Sequence, residues 1–272
     1  MQHFTADSLI LRAVPRGDND KLLTVLTADR GRFYAILKGA HSMHRREAAA
    51  AEPYTLSNVE YYEKNQLKWV KSATAIESFP GIRYDMEKLF LAAYFCEVAY
   101  ELSDERQPAG AILPLTLNSL YMLSTTKGED SRIKAAFEMR AAVIAGFSPD
   151  TARCRRCGTP AVGGCRFDVM NGAPLCAACA ERLTAFVPDG AVDEFGDRRL
   201  YLPLGGGGLS AISYIADADE KRVFSFRLTD EAEQRALSAV TEAYLLHHLE
   251  RGFQTLENYK KLTAIVPSKK EE

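Results

Sequence analysis

The chain of 272 residues lacks the short patterns that mark common enzymes, and it contains only five histidines. The HExxH pattern of metalloproteases, the GxSxG elbow of hydrolases and the phosphate-binding Walker pattern are absent. A zinc deaminase needs His-x-Glu ahead of Pro-Cys-x-x-Cys. The one His-x-Glu pair, His248 with Glu250, follows both Cys-x-x-Cys pairs, and Leu175 precedes Cys176. The sequence therefore predicts a protein that is not an enzyme.

Long apolar runs and a strong net charge are also missing. No stretch approaches the roughly 20 apolar residues of a membrane helix, and Met1–Asp7 lacks the charged and apolar regions of a signal peptide. We therefore expect a cytoplasmic protein, associated with the nucleoid if it binds DNA, with no membrane partner. The net charge of −2 excludes a generally basic nucleic-acid binder.

Positive charge is nevertheless concentrated in two segments. Residues 1–50 contain eight Lys or Arg against five Asp or Glu, and residues 151–185 contain five against two. Local positive faces on a nearly neutral protein suit binding to a polyanion. Such small excesses also arise by chance, so charge alone leaves both interpretations open.

The cysteines supply the most specific pattern. Cys154 and Cys157 form one Cys-x-x-Cys pair, Cys176 and Cys179 form another, and 18 residues separate the pairs. This spacing is typical of a four-cysteine zinc site, in which two knuckles complete a tetrahedron and leave no open position for chemistry. The alternatives are a reduced thiol cluster or disulfides, and nothing marks the chain as secreted. Cys165 could replace one ligand, although a small buried residue is the simpler interpretation.

The first eighty residues have the character of a small β-barrel. Turn residues separate five extended runs rich in Leu, Val, Ile, Tyr and Thr. The runs are Ser8–Val14, Lys21–Thr27, Arg32–Gly39, Tyr54–Tyr62 and Gln66–Ile76. Within the fourth run the apolar residues change from even positions, Tyr54 and Leu56, to odd positions, Val59 and Tyr61. This change indicates a β-bulge in that run. The longer connection after the third run, His41–Glu47 and the alanines that follow, predicts a mobile loop that can turn helical. Five strands with this insertion fit an OB-fold, with an SH3-like barrel as the alternative.

A helical period begins near Tyr84. Helices are expected from Met86 to Val98, over Pro114–Thr125, Ser131–Gly146 and Asp230–Leu249, and a short one near Leu256. Cys96 falls in the first of them and is expected in the core. The glycine run Gly205–Gly208 predicts a flexible loop.

The fold class is therefore α+β, with an N-terminal OB-fold barrel followed by an α-helical domain that carries an inserted four-cysteine zinc module. We place the barrel at 1–80, the helical domain at 81–150 and 186–272, and the zinc module at 151–185.

Basic residues alternate with aromatic residues through the barrel segment. A barrel that offers cations to phosphates and rings to bases binds single strands with little sequence preference. The simpler explanation is that many of these rings fill the barrel, and we expect about half to do so. The candidate DNA contacts are Arg12, Lys21, Arg32, Lys38, Arg45, Arg46, Lys68 and Lys71. Arg16, Arg30 and Trp69 belong to the same pattern, and Arg153, Arg155 and Arg156 could extend the surface.

Several motifs in order resemble the bacterial RecO family of recombination mediators. They are Gly17–Thr27, Gly31–Phe33, Lys38–Ala40, Glu52–Leu56, Phe79–Arg83, Phe137–Arg140, Ala145–Pro149, Cys154–Gly158 and Gly172–Cys176. The resemblance covers roughly residues 1–185 well and the remainder loosely.

The resemblance implies a mediator without catalytic activity. Proteins of this family bind single- and double-stranded DNA, anneal complementary strands, contact the acidic C-terminal tail of single-strand-binding protein, and act with RecR to load RecA. On this basis Arg132 and Arg140 are candidates for the acidic partner tail, although such helix charges commonly serve solubility. The alternative hypothesis is a zinc-containing protein–protein adaptor whose nucleic-acid binding is incidental.

Overall fold

The computed structural model of the protein describes residues 3–40, 45–161, 163–184 and 200–265, without the side chains of 45–47, 183, 184 and 265. Its strands in chain order are β1 (His3–Arg16), β2 (Asp20–Thr27), β3 (Gly31–Leu37), β4 (Leu56–Lys64), β5 (Leu67–Glu77), β6 (Cys165–Asp168), β7 (Ala173–Cys176) and β8 (Tyr201–Leu204). Its helices are α1 (Arg45–Ala50), α2 (Pro80–Arg83), α3 (Met86–Glu101), α4 (Ile112–Thr125), α5 (Asp130–Ile144), α6 (Ala177–Thr184), α7 (Gly206–Asp217), α8 (Glu231–His248) and α9 (Gln254–Ile265).

The first five strands form a closed barrel in the order β1-β2-β3-β5-β4, and β4 returns to pair with β1. Neighbouring strands are antiparallel except β3 and β5, which pair in parallel through Ala35–Lys68 and Ile36–Trp69. We call this contact the parallel seam. The order is that of the OB-fold, which confirms the predicted barrel over the SH3-like alternative. The register of β4 against β5 shifts at Leu56/Ser57 and at Glu60/Tyr61. At both points the extra residue, Ile76 and Lys71, lies on β5, so the bulge predicted within the fourth strand is wrong in its position.

Alternate side chains along the strands point inward and fill the barrel. Inward residues of β2, β3 and β4 such as Leu23, Phe33 and Tyr61 belong to one buried cluster. Ala50, the last residue of α1, and Ala51, which follows it, belong to this cluster too and are almost completely buried. The helical character predicted for this alanine segment is confirmed by α1, whereas the expected mobility is wrong for it, because small side chains allow it to pack into the core. His41–His44 lies outside the described residues.

The chain divides into two compact units, Met1–Gly128 with Phe253–Glu272, and Glu129–Gly252. In the first unit, α3 packs against both α4 and α9. Its N-cap Asp85 accepts hydrogen bonds from the backbone N–H groups of Glu87 and Lys88 at 2.9 and 3.2 Å.

In the second unit, α5 packs against α8, and α7 contacts both helices. Lys134 lies at this α5–α8 contact, with its Nζ 2.8 Å from Glu138 and 2.7 Å from Glu242. The strands β7, β6 and β8 form a separate three-stranded sheet, whose third strand lies beyond residue 185. The compact units thus group the helices differently from the domains placed above, because α3 packs with α9 whereas α5 packs with α8. Within the described residues, no helix combines the length and the apolar character needed to cross a bilayer.

The glycine run predicted as a flexible loop instead begins α7. A Cβ atom on Gly207 would lie 2.1 Å from a carboxylate oxygen of Glu233, and the Gly207 N–H donates a hydrogen bond to that carboxylate at 3.2 Å. A side chain at this position would have to displace the Glu233 carboxylate, so glycine lets the first turn of α7 lie directly against α8. Composition alone does not reveal this close approach.

Gly31 is a second position where the backbone requires glycine. Its φ is +61°, and an added Cβ would lie 2.1 Å from the Gln107 carbonyl oxygen and 2.3 Å from that of Asp104. The next residue, Arg32, donates its backbone N–H to Asp104 at 3.0 Å. Gly31 therefore holds the segment around Glu105 against the start of β3.

We predict that Gly31→Ala destabilises the protein more than Gly17→Ala does. Gly17 has nearly the same φ of +62° but open space where a Cβ would lie. The left-handed conformation costs an alanine about 1–2 kcal/mol at either site, and overpacking adds about 1–3 kcal/mol at Gly31 alone. Urea unfolding of both variants measures the difference. Equal losses of stability would show that the backbone around Glu105 can move away from the added methyl group without destabilising the protein.

Candidate metal centre and nucleic-acid interface

The four thiols of Cys154, Cys157, Cys176 and Cys179 lie within 4.8 Å of one another, as their spacing predicts. The Sγ atoms of Cys157 and Cys176 are 3.7 Å apart. Four sulfurs bound tetrahedrally at about 2.3 Å from zinc are about 3.8 Å apart. The donor set and its separations therefore fit one tetrahedral metal ion.

Local backbone structure brings the two pairs together. The first pair lies in a tight turn in which the Gly158 N–H donates to the Cys154 carbonyl at 2.8 Å, and Gly158 adopts a φ of +72°. The second pair straddles the end of β7 and the start of α6. The β6–β7 hairpin returns the chain between the pairs, with Gly172 in its turn at a φ of +62°.

Hydrogen bonds favour the thiolate form at the first knuckle. The hydroxyl and the backbone N–H of Thr159 act on the Cys157 sulfur and lower its pKa to about 6. Burial opposes ionisation of Cys154, but backbone N–H groups, led by that of Cys176 at 3.4 Å, hold its pKa below the usual value. Thiolates are the metal-binding form of cysteine, so this knuckle is already prepared for an ion.

Two further cysteines lie outside the cluster. Cys165 begins β6 opposite Cys176, is partly buried, and burial raises its pKa to about 11. It is not one of the four clustered thiols. Cys96 is 2% exposed within α3, which confirms the prediction of a core residue.

The OB-fold barrel carries a groove of about 920 Å³ on its outer surface. OB-folds bind oligonucleotides on the face of strands β2 and β3, between the β1–β2 and β4–β5 loops. The groove occupies this face, and we call it the barrel groove. Its charged and aromatic lining residues are Arg16, Asp29, Arg30, Arg32, Phe33, Tyr34, Glu63, Lys68, Glu105 and Arg106. Five cations thus face three carboxylates.

Comparison with known proteins identifies the family. The N-terminal model of recombination protein O matches residues 1–79, and the C-terminal model of recombination protein O matches residues 83–257. The chain belongs to the RecO family.

Curated relatives named DNA repair protein RecO extend over nearly the whole chain. The protein of Acetivibrio thermocellus is 28% identical, over 97% of this chain and 99% of its own. That of Anaeromyxobacter sp. strain K is 32% identical, over 92% and 93%. That of Anaeromyxobacter dehalogenans strain 2CP-1 is 33% identical, over 89% and 90%.

The candidate DNA contacts of this RecO-family chain are spread around the barrel. Arg12 and Lys38 are exposed, on β1 and just after β3. Lys38 places its Nζ 4.7 Å from the centre of the Trp69 ring. Arg32 reaches the groove, but its guanidinium stacks on the Tyr100 ring at 3.7 Å and donates to the Tyr100 carbonyl at 2.8 Å. The side chains of Arg45 and Arg46 lie outside the described residues.

Three candidate lysines have carboxylate partners. Lys21 pairs with Glu52 at 2.8 Å, and Lys71 pairs with Glu60 at 2.7 Å. Lys68 lies 3.5 Å from Glu63 and also faces the Phe33 ring. These pairs lie at or near the surface, where ion pairs contribute only about 0–1 kcal/mol. Pairing therefore lowers the positive potential of these sites without fixing their side chains.

The arginines of the metal knuckle make local contacts. Arg153 donates to the Gly158 carbonyl at 3.1 Å, and Arg155 lies 3.1 Å from the buried Asp168 carboxylate. Arg156 is exposed. Of the three, only Arg156 makes no side-chain hydrogen bond or ion pair within the described residues, and the extension of a DNA-binding surface by these arginines stays a prediction.

Arg132 and Arg140 are engaged in internal contacts. Arg132, with a side chain 12% exposed, donates to the Phe224 carbonyl and pairs with Glu129. Arg140 donates to the Ala216 carbonyl at 2.6 Å, near the end of α7. Their contact with an acidic partner tail stays a prediction that this geometry does not favour.

The barrel groove contains cations that sequence reasoning set aside or missed. Arg16 and Arg30 share the pattern of basic and aromatic residues but were not among the candidates. Arg106 lies between α3 and α4, and the fold brings it to the barrel. All three are exposed, and the described part of the chain shows no carboxylate in an ion pair with any of them. No sequence signal marks Arg106, because its role depends on the contact between its loop and Gly31.

We predict that Cys157→Ser abolishes stoichiometric metal binding, whereas Cys165→Ser leaves it intact. Serine at 157 removes one of the four clustered sulfurs, while Cys165 contributes none. Elemental analysis of the purified variants, with thermal melting, measures the effect. Loss of metal in the Cys165 variant would show instead that this thiol belongs to the ligand set.

Proposed function

We propose that this protein is a recombination mediator without catalytic activity. It binds single- and double-stranded DNA, anneals complementary strands, and helps to load a recombinase onto DNA covered by single-strand-binding protein. Membership of the RecO family supports the general role, since its curated relatives are named DNA repair proteins. The residues add a physical basis for it.

The exposed cations of the barrel groove are the observation that carries the proposal. Arg16, Arg30 and Arg106 converge on the face where OB-folds bind oligonucleotides. Tyr34, 40% exposed, lies among them. Cations neutralise phosphates and release counterions, while an exposed ring can stack on a base. The combination is that of a surface for single-stranded nucleic acid.

Annealing follows from the same charges. Two complementary strands repel each other through their phosphates, and a cationic surface lowers this repulsion. The bases must stay free to pair, which a surface that holds mainly phosphates permits. No proton transfer or covalent intermediate is required, and this agrees with the absence of known catalytic motifs from the sequence.

We assign the metal of the four cysteines as zinc with a structural role. Four thiolates fill a tetrahedron and leave no position for water or substrate. The site joins the knuckle turn, the end of β7 and α6, so an ion there would fix the short sheet of the second unit. Metal binding and folding of such modules are coupled.

The remaining assignments rest on the family resemblance. RecR and the C-terminal tail of single-strand-binding protein are the proposed protein partners, and the cytoplasm is the proposed location. Arg132 and Arg140 do not support the tail assignment, because both donate to internal carbonyls.

A protein–protein adaptor with incidental DNA binding is the second candidate. The ion pairs of Lys21, Lys68 and Lys71 favour it, since they reduce the positive potential that the sequence suggests. The two functions differ in whether removal of the groove cations abolishes DNA binding.

We predict that combined Arg16→Ala, Arg30→Ala and Arg106→Ala substitutions weaken binding to a labelled single strand. Each lost phosphate contact also lowers the slope of log affinity against log salt by about 0.7 for a single strand. Fluorescence anisotropy over a salt series gives both quantities.

The matched control removes an exposed arginine outside the barrel. Arg235 of α8 has a side chain 71% exposed and lies 3.4 Å from Glu231. Arg235→Ala should leave affinity and salt slope unchanged. Equal affinity for the triple variant and the unmodified protein would reject the groove as the DNA site and favour the adaptor.

Strand annealing should depend on the same residues. We expect the unmodified protein to accelerate annealing of two complementary oligonucleotides at low salt, and the triple variant to lose most of this acceleration. A quenched-fluorophore assay measures the rate, with Arg235→Ala as the reference. Acceleration that survives in the triple variant would place annealing on another surface.

A further inference from the structure

A continuous row of apolar and aromatic side chains crosses the outside of the barrel. The strand registers pair Leu22 with Ile36, Ile36 with Trp69, Trp69 with Tyr62, and Tyr62 with His3. Residues directly opposite each other on paired strands project to the same face of the sheet. The row therefore passes through β2, β3, β5, β4 and β1, and we call its last three members, Trp69, Tyr62 and His3, the aromatic row.

Alternation places the aromatic row outside the barrel. The chain neighbour of each ring faces the interior instead. Tyr61 and Val70 belong to the buried core cluster, and Phe4 packs against it. Trp69 and Tyr62 are partly buried and His3 is exposed. The His3 and Tyr62 rings lie 5.8 Å apart between centres. Three neighbouring rings thus reach solvent on adjoining strands instead of filling the core.

The aromatic row continues from the barrel groove. Leu22 and Ile36, the first two members of the full row, line that groove, and Trp69 follows Ile36 across the parallel seam. Ile36 is only 2% exposed, so Trp69 is the next member of the row with accessible surface that a strand leaving the groove would meet. The lining residue Lys68 lies beside Trp69 in the chain.

Positive charge accompanies the rings. Lys38 is exposed with its Nζ 4.7 Å from the Trp69 ring centre, and Lys71 lies nearby at the β5 bulge. The neighbouring carboxylate of Glu60 is already engaged by Lys71 at 2.7 Å and lies 3.7 Å from His3. Rings with adjacent cations match the alternation of bases and phosphates along a single strand.

Lys38 competes with a base for the Trp69 ring. An exposed cation–π contact is weaker than stacking of a base on an aromatic ring. When a base displaces Lys38 from the ring, the lysine can still bind the adjacent phosphate. Its charge therefore interacts with the ring in the free protein and with the phosphate in the complex. Exchange of Lys38 for a base is therefore favourable when a single strand is present.

We propose that the aromatic row is a stacking site for unpaired nucleobases, which lets this protein distinguish single-stranded from double-stranded DNA. The inference rests on the proposed function and assigns part of the strand's path. In a duplex the bases are stacked on one another and cannot lie on Trp69 and Tyr62. Cations bind phosphates of both forms, so the rings rather than the cations provide the preference.

Trp69 is the chain's one tryptophan, so its intrinsic fluorescence reports this site directly. We expect an oligothymidine of about 20 nucleotides to quench this fluorescence on binding. An abasic oligomer of the same length, with the same phosphates and no bases, should bind with much less quenching. Equal quenching by the two at saturation would overturn the stacking site.

Substitution supplies a second, independent measurement. Trp69→Leu should weaken oligothymidine binding about tenfold, whereas Trp69→Phe should retain most of the affinity. Affinity for a duplex, and for the abasic oligomer, should stay unchanged in both variants. Circular dichroism and thermal melting establish that the barrel is folded in each case.

The outcomes separate this inference from the proposed function. If the unmodified protein binds no DNA at low salt, the proposed function fails and the aromatic row with it. If the protein binds DNA, but Trp69→Leu has the affinity of the unmodified protein for single strands, the stacking site alone is rejected. An equal loss for duplex and single strand would assign Trp69 a purely structural role and would also overturn the inference.

Discussion

The parallel seam between β3 and β5 is the contact on which the outer face of the barrel depends. It consists of two residue pairs, Ala35 with Lys68 and Ile36 with Trp69, which lie far apart in the sequence. The other strand neighbours are joined antiparallel. Together with the pairing of β1 and β4, the seam closes the barrel, and it brings the β4–β5 loop to the β2–β3 face. The barrel groove and the row that leads away from it both exist because of this closure.

Which cations are available to bind a polyanion depends on the carboxylates and rings that already contact them. Lys21, Lys68 and Lys71 each face a glutamate, while Arg32 is held by Tyr100. Surface pairs are weak and screened, so phosphates can replace glutamates at a modest cost. The exposed groove cations Arg16, Arg30 and Arg106 form no ion pair with a carboxylate in the described residues, although Arg30 lies 4.0 Å from the centre of the Phe4 ring. A near-neutral chain therefore obtains a local positive surface through arrangement and not through composition.

The second unit buries several charged side chains. Lys134 lies between Glu138 and Glu242 where α5 meets α8, with Lys134 and Glu138 almost completely buried. Burial raises the pKa of Glu138, and the two carboxylates hold that of Lys134 above its usual value despite burial. Arg132 and Arg140 serve the same unit by donating to backbone carbonyls. These groups lie where the helices pack, and the four clustered cysteines join the end of β7 to α6.

The sequence by itself determined the five barrel strands, the main helices and the four clustered cysteines. Alternation, helical period and Cys-x-x-Cys spacing are local, so they can be read without the fold. Tertiary structure decided the rest. Gly206–Gly208 form the first turn of α7 and lie against Glu233 of α8. Arg106 reaches the groove because Gly31 admits its loop, and Arg132 donates to the Phe224 carbonyl. Each of these depends on residues distant in the chain, whose approach only packing of the whole fold establishes.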